Sequence, residues 1–193
     1  SAPKTIHLKR ETVQIDNVIY SGIIRPGVGY ISLEEFNASA TKELKSALST
    51  LKQAGMQKLI LDLRENPGGL LTQAVDICNL FLAKETKIVE TRGKVEEWNK
   101  TYTALNTSFD SDIPLIILIN GHSASAAEIV AGVMQDYDRA VLIGKKSYGK
   151  GLVQVTRDLP YRTKMKITTA KYYIPSGRCI QAIDYQHKNS DGQ

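Results

Sequence analysis

Between residues 28 and 143 the chain switches repeatedly between short apolar runs of strand character and stretches whose apolar residues recur at helical spacing. The run 28–31 is strand-like, and Ala40, Leu44, Ala47, Leu48 and Leu51 then share one helix face, with Ser39 or Thr41 as the cap and Gly55 as the stop. Residues 58–63 read as a buried strand, Asn66-Pro67-Gly68-Gly69 as the turn after it, and 70–82 as a second helix. Strands over 87–91, 114–119 and 140–143 and a helix from about 125 to 137 extend the alternation, with a polar stretch up to Asp112 that marks no element. Such a chain is expected to be α/β, a layered sheet with flanking helices. After Lys150 the period changes to two, over 152–156 and 164–173, on either side of the turn-like Asp158-Leu-Pro-Tyr161, so a C-terminal β-hairpin closes the domain.

The ends read differently. Residues 4–15 and 18–24 alternate as short strands and look like a joining segment, which sets the boundaries at 1–27, 28–186 for the core, and 187–193 for a polar tail. With 193 residues, 42% hydrophobic, the core suffices for one domain. Twenty-five basic residues against 20 acidic ones give a net charge of +5, but they are scattered, with no basic block to track a phosphate backbone, so no nucleic acid is expected as a partner. The longest apolar runs, 114–119 and 140–143, are too short to cross a bilayer, and residues 1–20 lack the apolar core of a signal peptide. Cys78 and Cys179 show neither CxxC nor Cys/His spacing, so no zinc site and no disulfide framework is expected; Cys78 belongs to a helix core.

Three small-residue turns can carry chemistry. In Gly121-His-Ser-Ala-Ser-Ala-Ala-Glu-Ile129 a strand runs into a helix that opens near Ser125. A hydroxyl there lies beside free N–H groups and the positive end of the helix dipole, which suits an oxyanion. Ser125-Ala-Ala-Glu128 also spells a capping box, and on spacing alone the cap is the favoured reading. Lys150 follows in Gly144-Lys-Lys-Ser-Tyr-Gly-Lys150-Gly151, its flanking glycines permitting close backbone approach. As a general base it would have to be neutral, which burial can achieve; the ordinary fate of a loop lysine is solvation. The turn Asn66-Pro67-Gly68-Gly69 stands at the end of a buried strand, where open α/β sheets place ligands, and it could equally be only a tight turn. Of His7, His122 and His187, only His122 could serve a Ser/His/Asp triad; three residues before Ser125 on the same turn, it is poorly aimed and reads as a surface residue.

Taken together, Leu61-Asp-Leu-Arg-Glu-Asn-Pro-Gly-Gly69, Ser123-Ala-Ser-Ala-Ala-Glu-Ile129, Gly144 through Gly151-Leu-Val-Gln154 and Thr168-Thr-Ala-Lys-Tyr-Tyr-Ile-Pro-Ser-Gly-Arg178 resemble, in order, the C-terminal processing (tail-specific) proteases of serine protease family S41. The likeness covers roughly residues 29–181. It implies a ClpP/crotonase-like core and a Ser/Lys dyad, with Ser125 as nucleophile, Lys150 as general base and Gln154 holding the lysine. It implies an oxyanion hole from the backbone of Ala126 and of Gly68 or Gly69, and supporting roles for Asp136 and Glu128. No cofactor and no metal is needed. Unfolded or C-terminal protein segments are the implied substrates, taken as an added strand, and periplasm or cell envelope the implied location. Family members carry a PDZ domain before the core, of which residues 4–15 resemble only the last strand; Ala127 stands where many members have serine. The competing readings are a catalytically silent peptide- or lipid-binding module on the same fold, against which the retained Ser125, Lys150 and Gln154 weigh, and a crotonase-like acyl-CoA enzyme.

Overall fold

The structure is a computed structural model that describes residues 6, 8–11 and 15–182. Half of the strand expected over 4–15 lies outside the described residues and the described half, residues 6, 8–11 and 15, is not in a strand; the tail from 187 lies wholly outside them. Two sheets and three helices make up the described part. The first sheet has the order β1 (Val18–Arg25), β2 (Val28–Leu33), β3 (Lys58–Asp62), β6 (Leu115–Ile119), β7 (Val141–Gly144). β1 is antiparallel to β2, and β2, β3, β6 and β7 are parallel. Parallel neighbours need crossovers. These are α1 (Ala40–Gln53) between β2 and β3, α3 (Ala126–Asp136) between β6 and β7, and between β3 and β6 a longer passage through α2 (Leu71–Phe81), β4 (Lys87–Gly93) and β5 (Lys100–Thr103). The last two join β8 (Leu152–Leu159) and β9 (Thr163–Tyr173) in an antiparallel second sheet of order β5-β4-β9-β8.

The apolar face expected for α1 is the buried one, with Ala40, Leu44, Ala47, Leu48 and Leu51 all in the core. The second helix and the third fall within one residue of their expected ends. Leu61, Ile77, Ile117 and Val130 are 0% exposed, each burial contributing about 1.5–3 kcal/mol. Cys78 is fully buried, as its helix pattern implied, and burial pushes its thiol pKa up. Two elements differ from expectation. β5 lies inside the stretch read as structureless, because Lys100-Thr-Tyr-Thr103 is a sheet edge half in solvent and carries no apolar alternation. Residues 18–25 are an edge strand of the core sheet, paired along their length with β2.

Registers fix where the turns lie. Asp62 is opposite Leu118, and the Leu63 amide donates to Leu118 O at 2.9 Å, so the turns that leave β3 and β6 emerge side by side. Ile119 is opposite Gly144, so the loop leaving β7 emerges next to them. All three sit at the C-terminal edge of the parallel strands, where the strand ends leave a crevice.

Candidate active site

Ser125 is the N-cap of α3, half-buried, with φ 54° and ψ −113°. A serine that only caps a helix ordinarily sits in the β region. A non-glycine residue at positive φ costs about 1–3 kcal/mol, held by its surroundings. The surroundings are visible. The Ser125 amide donates to Glu128 Oε2 at 2.8 Å, completing a capping box. The Ala124 amide donates to Asn66 O at 2.9 Å. Ser123 is fully buried; its hydroxyl donates to Leu63 O at 2.7 Å and accepts the Asn120 amide at 2.9 Å. The first serine of Ser-Ala-Ser thus rivets the turn, and the second is the accessible one.

The facing turn is pressed onto Ser125. A Cβ on Gly68 would lie 2.6 Å from Ala124 O, 2.8 Å from Ala126 N and 2.9 Å from Ser125 Cβ, at φ 97°, so only glycine fits. Its amide is used: it donates to Asn66 Oδ1 at 2.8 Å, while Asn66 Nδ2 donates to Leu33 O at 2.7 Å. Gly69 is different. It is exposed, and its amide, like that of Ala126, donates to nothing among the described residues. Asn66, 0% exposed, is therefore the residue that shapes this turn. An Asn two residues before a glycine, free to accept that amide, is the only signal of it in the sequence.

Glu128 joins the two sides of the site. Its buried carboxylate accepts the Ser125 and Lys150 amides on Oε2, both at 2.8 Å, and the Gly149 amide on Oε1 at 2.6 Å. The Ser125 turn and the lysine loop thus hang on one side chain. The Tyr148 amide, which donates to Ser123 O at 3.0 Å, adds a second tie. Lys150 itself is exposed, and its ammonium forms no hydrogen bond or ion pair among the described residues, Ser125 included. The burial expected of a general base is absent among the described residues: Glu128 and residues 181–182 hold the backbone of the loop, and the side chain of Lys150 points away from cover. Gln154 lies four residues on, past a bulge in β8, and its amide donates to Thr168 Oγ1 at 3.4 Å rather than to the lysine. Asp136 is remote from this group. It accepts the Ser176 amide at 2.9 Å and pairs with Arg178 at 3.3 Å, fastening the turn after β9 to the end of α3.

Two polar clusters flank the turns. Asp62 is buried and accepts from Arg64, at 2.6 Å from Nη2, and from the Tyr30 hydroxyl at 2.6 Å. Burial pulls its pKa upward, yet the hydrogen bonds from Arg64 and Tyr30 win and hold it below the usual aspartate value. Burial and the neighbouring Asp62 in turn raise the Tyr30 hydroxyl. Glu65, at φ 62°, reaches from the β3 turn to the β6 turn: its carboxylate accepts Asn120 Nδ2 at 2.6 Å and meets His122 Nδ1 at 2.6 Å. Those hydrogen bonds, Asn120 first, lower its pKa. His122 is a solvent-exposed turn residue, as its spacing implied, and its partner is Glu65.

The arrangement matches known proteins over most of its length. Residues 27–187 match the model of peptidase family S41. The carboxy-terminal-processing protease of Bartonella bacilliformis is 38% identical over 185 residues, 94% of this chain and 42% of that protein. The carboxyl-terminal-processing protease of a Synechocystis species is 45% identical over 161 residues, 82% and 37% of the two chains. The chain thus spans about two fifths of the length of these curated relatives. Among solved structures, the photosystem II D1 C-terminal processing protease superposes with a TM-score of 0.72 at 32% identity, over 80% of this chain and 39% of its own. An S41 protease of Bacteroides fragilis shares the fold at 22% identity, with a TM-score of 0.75 over 87% and 49%. These neighbours have the ClpP-like fold expected from the motifs. By its motifs, its fold and the family model that covers it from residue 27 to residue 187, this chain belongs to peptidase family S41.

Proposed function

We propose that this chain is the catalytic core of a serine endopeptidase of the C-terminal processing type, with Ser125 as nucleophile and Lys150 as general base. The observation that carries the reading is the backbone of Ser125. Its positive φ is what a nucleophile raised on a strained strand-to-helix turn requires and what a helix cap does not. In the reaction, neutral Lys150 takes the Ser125 hydroxyl proton as Oγ bonds to the peptide carbonyl carbon. The C–N bond then breaks, the leaving amine takes the proton from Lys150, and water hydrolyses the acyl-enzyme. For the oxyanion we assign the amides of Ala126 and Gly69: neither donates elsewhere, whereas that of Gly68 is held by Asn66.

Lys150 has to swing toward Ser125, and Glu128 fixes the pivot, since it holds the backbone amides of both residues. Gln154 would meet the lysine only after such a move. The substrates on this reading are unfolded or C-terminal segments of proteins, and the setting is extracytoplasmic; the likeness to C-terminal processing proteases supports both. No described helix is long and apolar enough to cross a membrane. The test is cleavage of an unfolded polypeptide by the protein that contains this chain, with Ser125→Ala and Lys150→Ala each expected to abolish it. Unchanged cleavage by either variant would remove the dyad.

A further inference from the structure

β8 and β9 run out past the rest of their sheet. β4 pairs with β9 only from Ala170 to Tyr173, so from Thr169 to the turn at 160–162 the two strands form a ribbon with no further strand beside it among the described residues. Register divides its side chains between two faces. Val155, Leu159, Met165 and Ile167 share one with Arg157, and Thr156, Asp158, Lys164 and Lys166 share the other. Leu159, Met165 and Ile167 are exposed, and a two-stranded ribbon is marginal in water unless its apolar face is covered. At the turn Tyr161 and Arg162 both have positive φ, 61° and 57°, where a hairpin ordinarily places Asn-Gly. Tyr161 is 98% exposed. The turn geometry therefore does not account for these two side chains. Charge is concentrated here as well. Residues 152–171 hold Arg157, Arg162, Lys164, Lys166 and Lys171 against Asp158, a net of +4 where the whole chain carries +5. Along the sequence these cations alternate with neutral residues, and strand pairing gathers four of them around the tip. Asp158 pairs with Lys164 at 3.0 Å, while Arg157, Arg162 and Lys166 form no ion pair among the described residues.

We propose that this ribbon docks tip first on an anionic lipid bilayer. Tyr161, Leu159 and Pro160 enter the interface, where an aromatic ring with a polar end is at home. The cations around them meet lipid phosphates, the long Lys and Arg stems reaching back to the headgroup level. The placement of charge favours a bilayer over a protein partner. Arg157 lies on one face, Lys164 and Lys166 on the other and Arg162 at the turn. A partner laid on either face leaves cations of the opposite face in water, whereas a headgroup layer entered end-on meets all four. A nucleic acid would satisfy the cations but would set Leu159, Tyr161 and Met165 against phosphates. Docking also sets a height. β8 begins two residues after Lys150, and at about 3.3 Å per residue its 8 residues hold the tip about 25 Å from the lysine loop. A polypeptide leaving the bilayer in extended form would reach that loop after about eight residues. Only this last consequence rests on the active site proposed above.

The experiment is flotation of the chain with vesicles of phosphatidylcholine, with or without about a third of phosphatidylglycerol. Binding to the anionic vesicles is expected to be at least about tenfold tighter than to the neutral ones, and to weaken as salt is raised. Changing Arg162→Gln and Lys166→Gln together should weaken it at least about tenfold, with the melting temperature unchanged because both side chains are exposed. A second variant reads the place of contact. In a Trp98→Phe background, Tyr161→Trp should give an emission that shifts to the blue on adding anionic vesicles and is quenched by brominated acyl chains. Equal affinity for neutral and anionic vesicles, no flotation with either, or undiminished binding by the double variant would overturn the proposal. Flotation with an unshifted spectrum from the Tyr161→Trp chain would put the contact elsewhere and overturn the role of the tip. Binding of a DNA duplex or of polyglutamate without binding to vesicles would assign the ribbon to a different partner. No step measures cleavage, so failure here leaves the dyad standing, and failure of the dyad leaves the vesicle result standing.

Discussion

Replacing Glu128 by Gln removes a charge and one acceptor from the side chain on which both halves of the site hang. In the best orientation the remaining oxygen keeps the Ser125 and Lys150 amides, and the new NH2 group faces the Gly149 amide, donor against donor. One hydrogen bond to a charged group, about 1.5–3 kcal/mol, is lost, and two others weaken to neutral strength, about 1 kcal/mol less each. Relief from burying a carboxylate offsets part of this, leaving a net destabilisation of about 3 kcal/mol. For a chain of this size that lowers the melting temperature by about 6–12 °C. Native-state hydrogen exchange by NMR reads the local effect: the amides of Ser125, Gly149 and Lys150 should exchange about 100-fold faster, while amides of β3 follow only the global change. Glu128→Asp, too short to span the two elements, should behave alike. A Glu128→Gln chain with unaltered melting and unaltered exchange at Gly149 and Lys150 would refute the claim that this carboxylate ties the Ser125 turn to the Lys150 loop.

Gly68→Ala puts a methyl group within 3 Å of the backbone of Ala124 and Ala126 at an unfavourable φ; the two turns should part, with about 2–3 kcal/mol lost in denaturant titration. Asp62 has a folded-state pKa below its ordinary value, so its contribution to stability is complete above about pH 4 and lost as pH falls through the folded pKa. Melting curves from pH 2 to 6 should accordingly show a shallower acid limb for Asp62→Asn than for the native chain. Native protein should yield one thiol to an aromatic disulfide reagent, from half-exposed Cys179, and two after unfolding, because Cys78 is enclosed.

Much of this molecule was legible in its sequence because its signals are local. The helix faces of α1 and α2 and the buried strand β3 declare themselves through spacing, and the three small-residue turns through their glycines. The capping box that the spacing of Ser125 and Glu128 spells is present, and the same residue carries a positive φ that a cap alone does not need. Illegible were the parts decided by distant backbone. Glu128 looks like the far end of a cap and acts also across 22 residues on Lys150. The choice between Gly68 and Gly69 turns on which amide Asn66 captures, and the Glu65 bridge on two turns brought together by strand register. The weak strand β5 had no apolar pattern to give it away. A base role for Lys150 called for burial and an ordinary loop lysine for solvation; spacing could not choose, and among the described residues the side chain is exposed.

Whether Ser125 is a nucleophile activated by Lys150 is tested most directly by treating the chain with a fluorophosphonate and locating the adduct by peptide mass spectrometry. The account predicts a single phosphonylated residue, Ser125, and a labelling rate about 10²–10⁴-fold lower in Lys150→Met. An adduct on another serine, or labelling of Ser125 at an undiminished rate without the lysine, would contradict it.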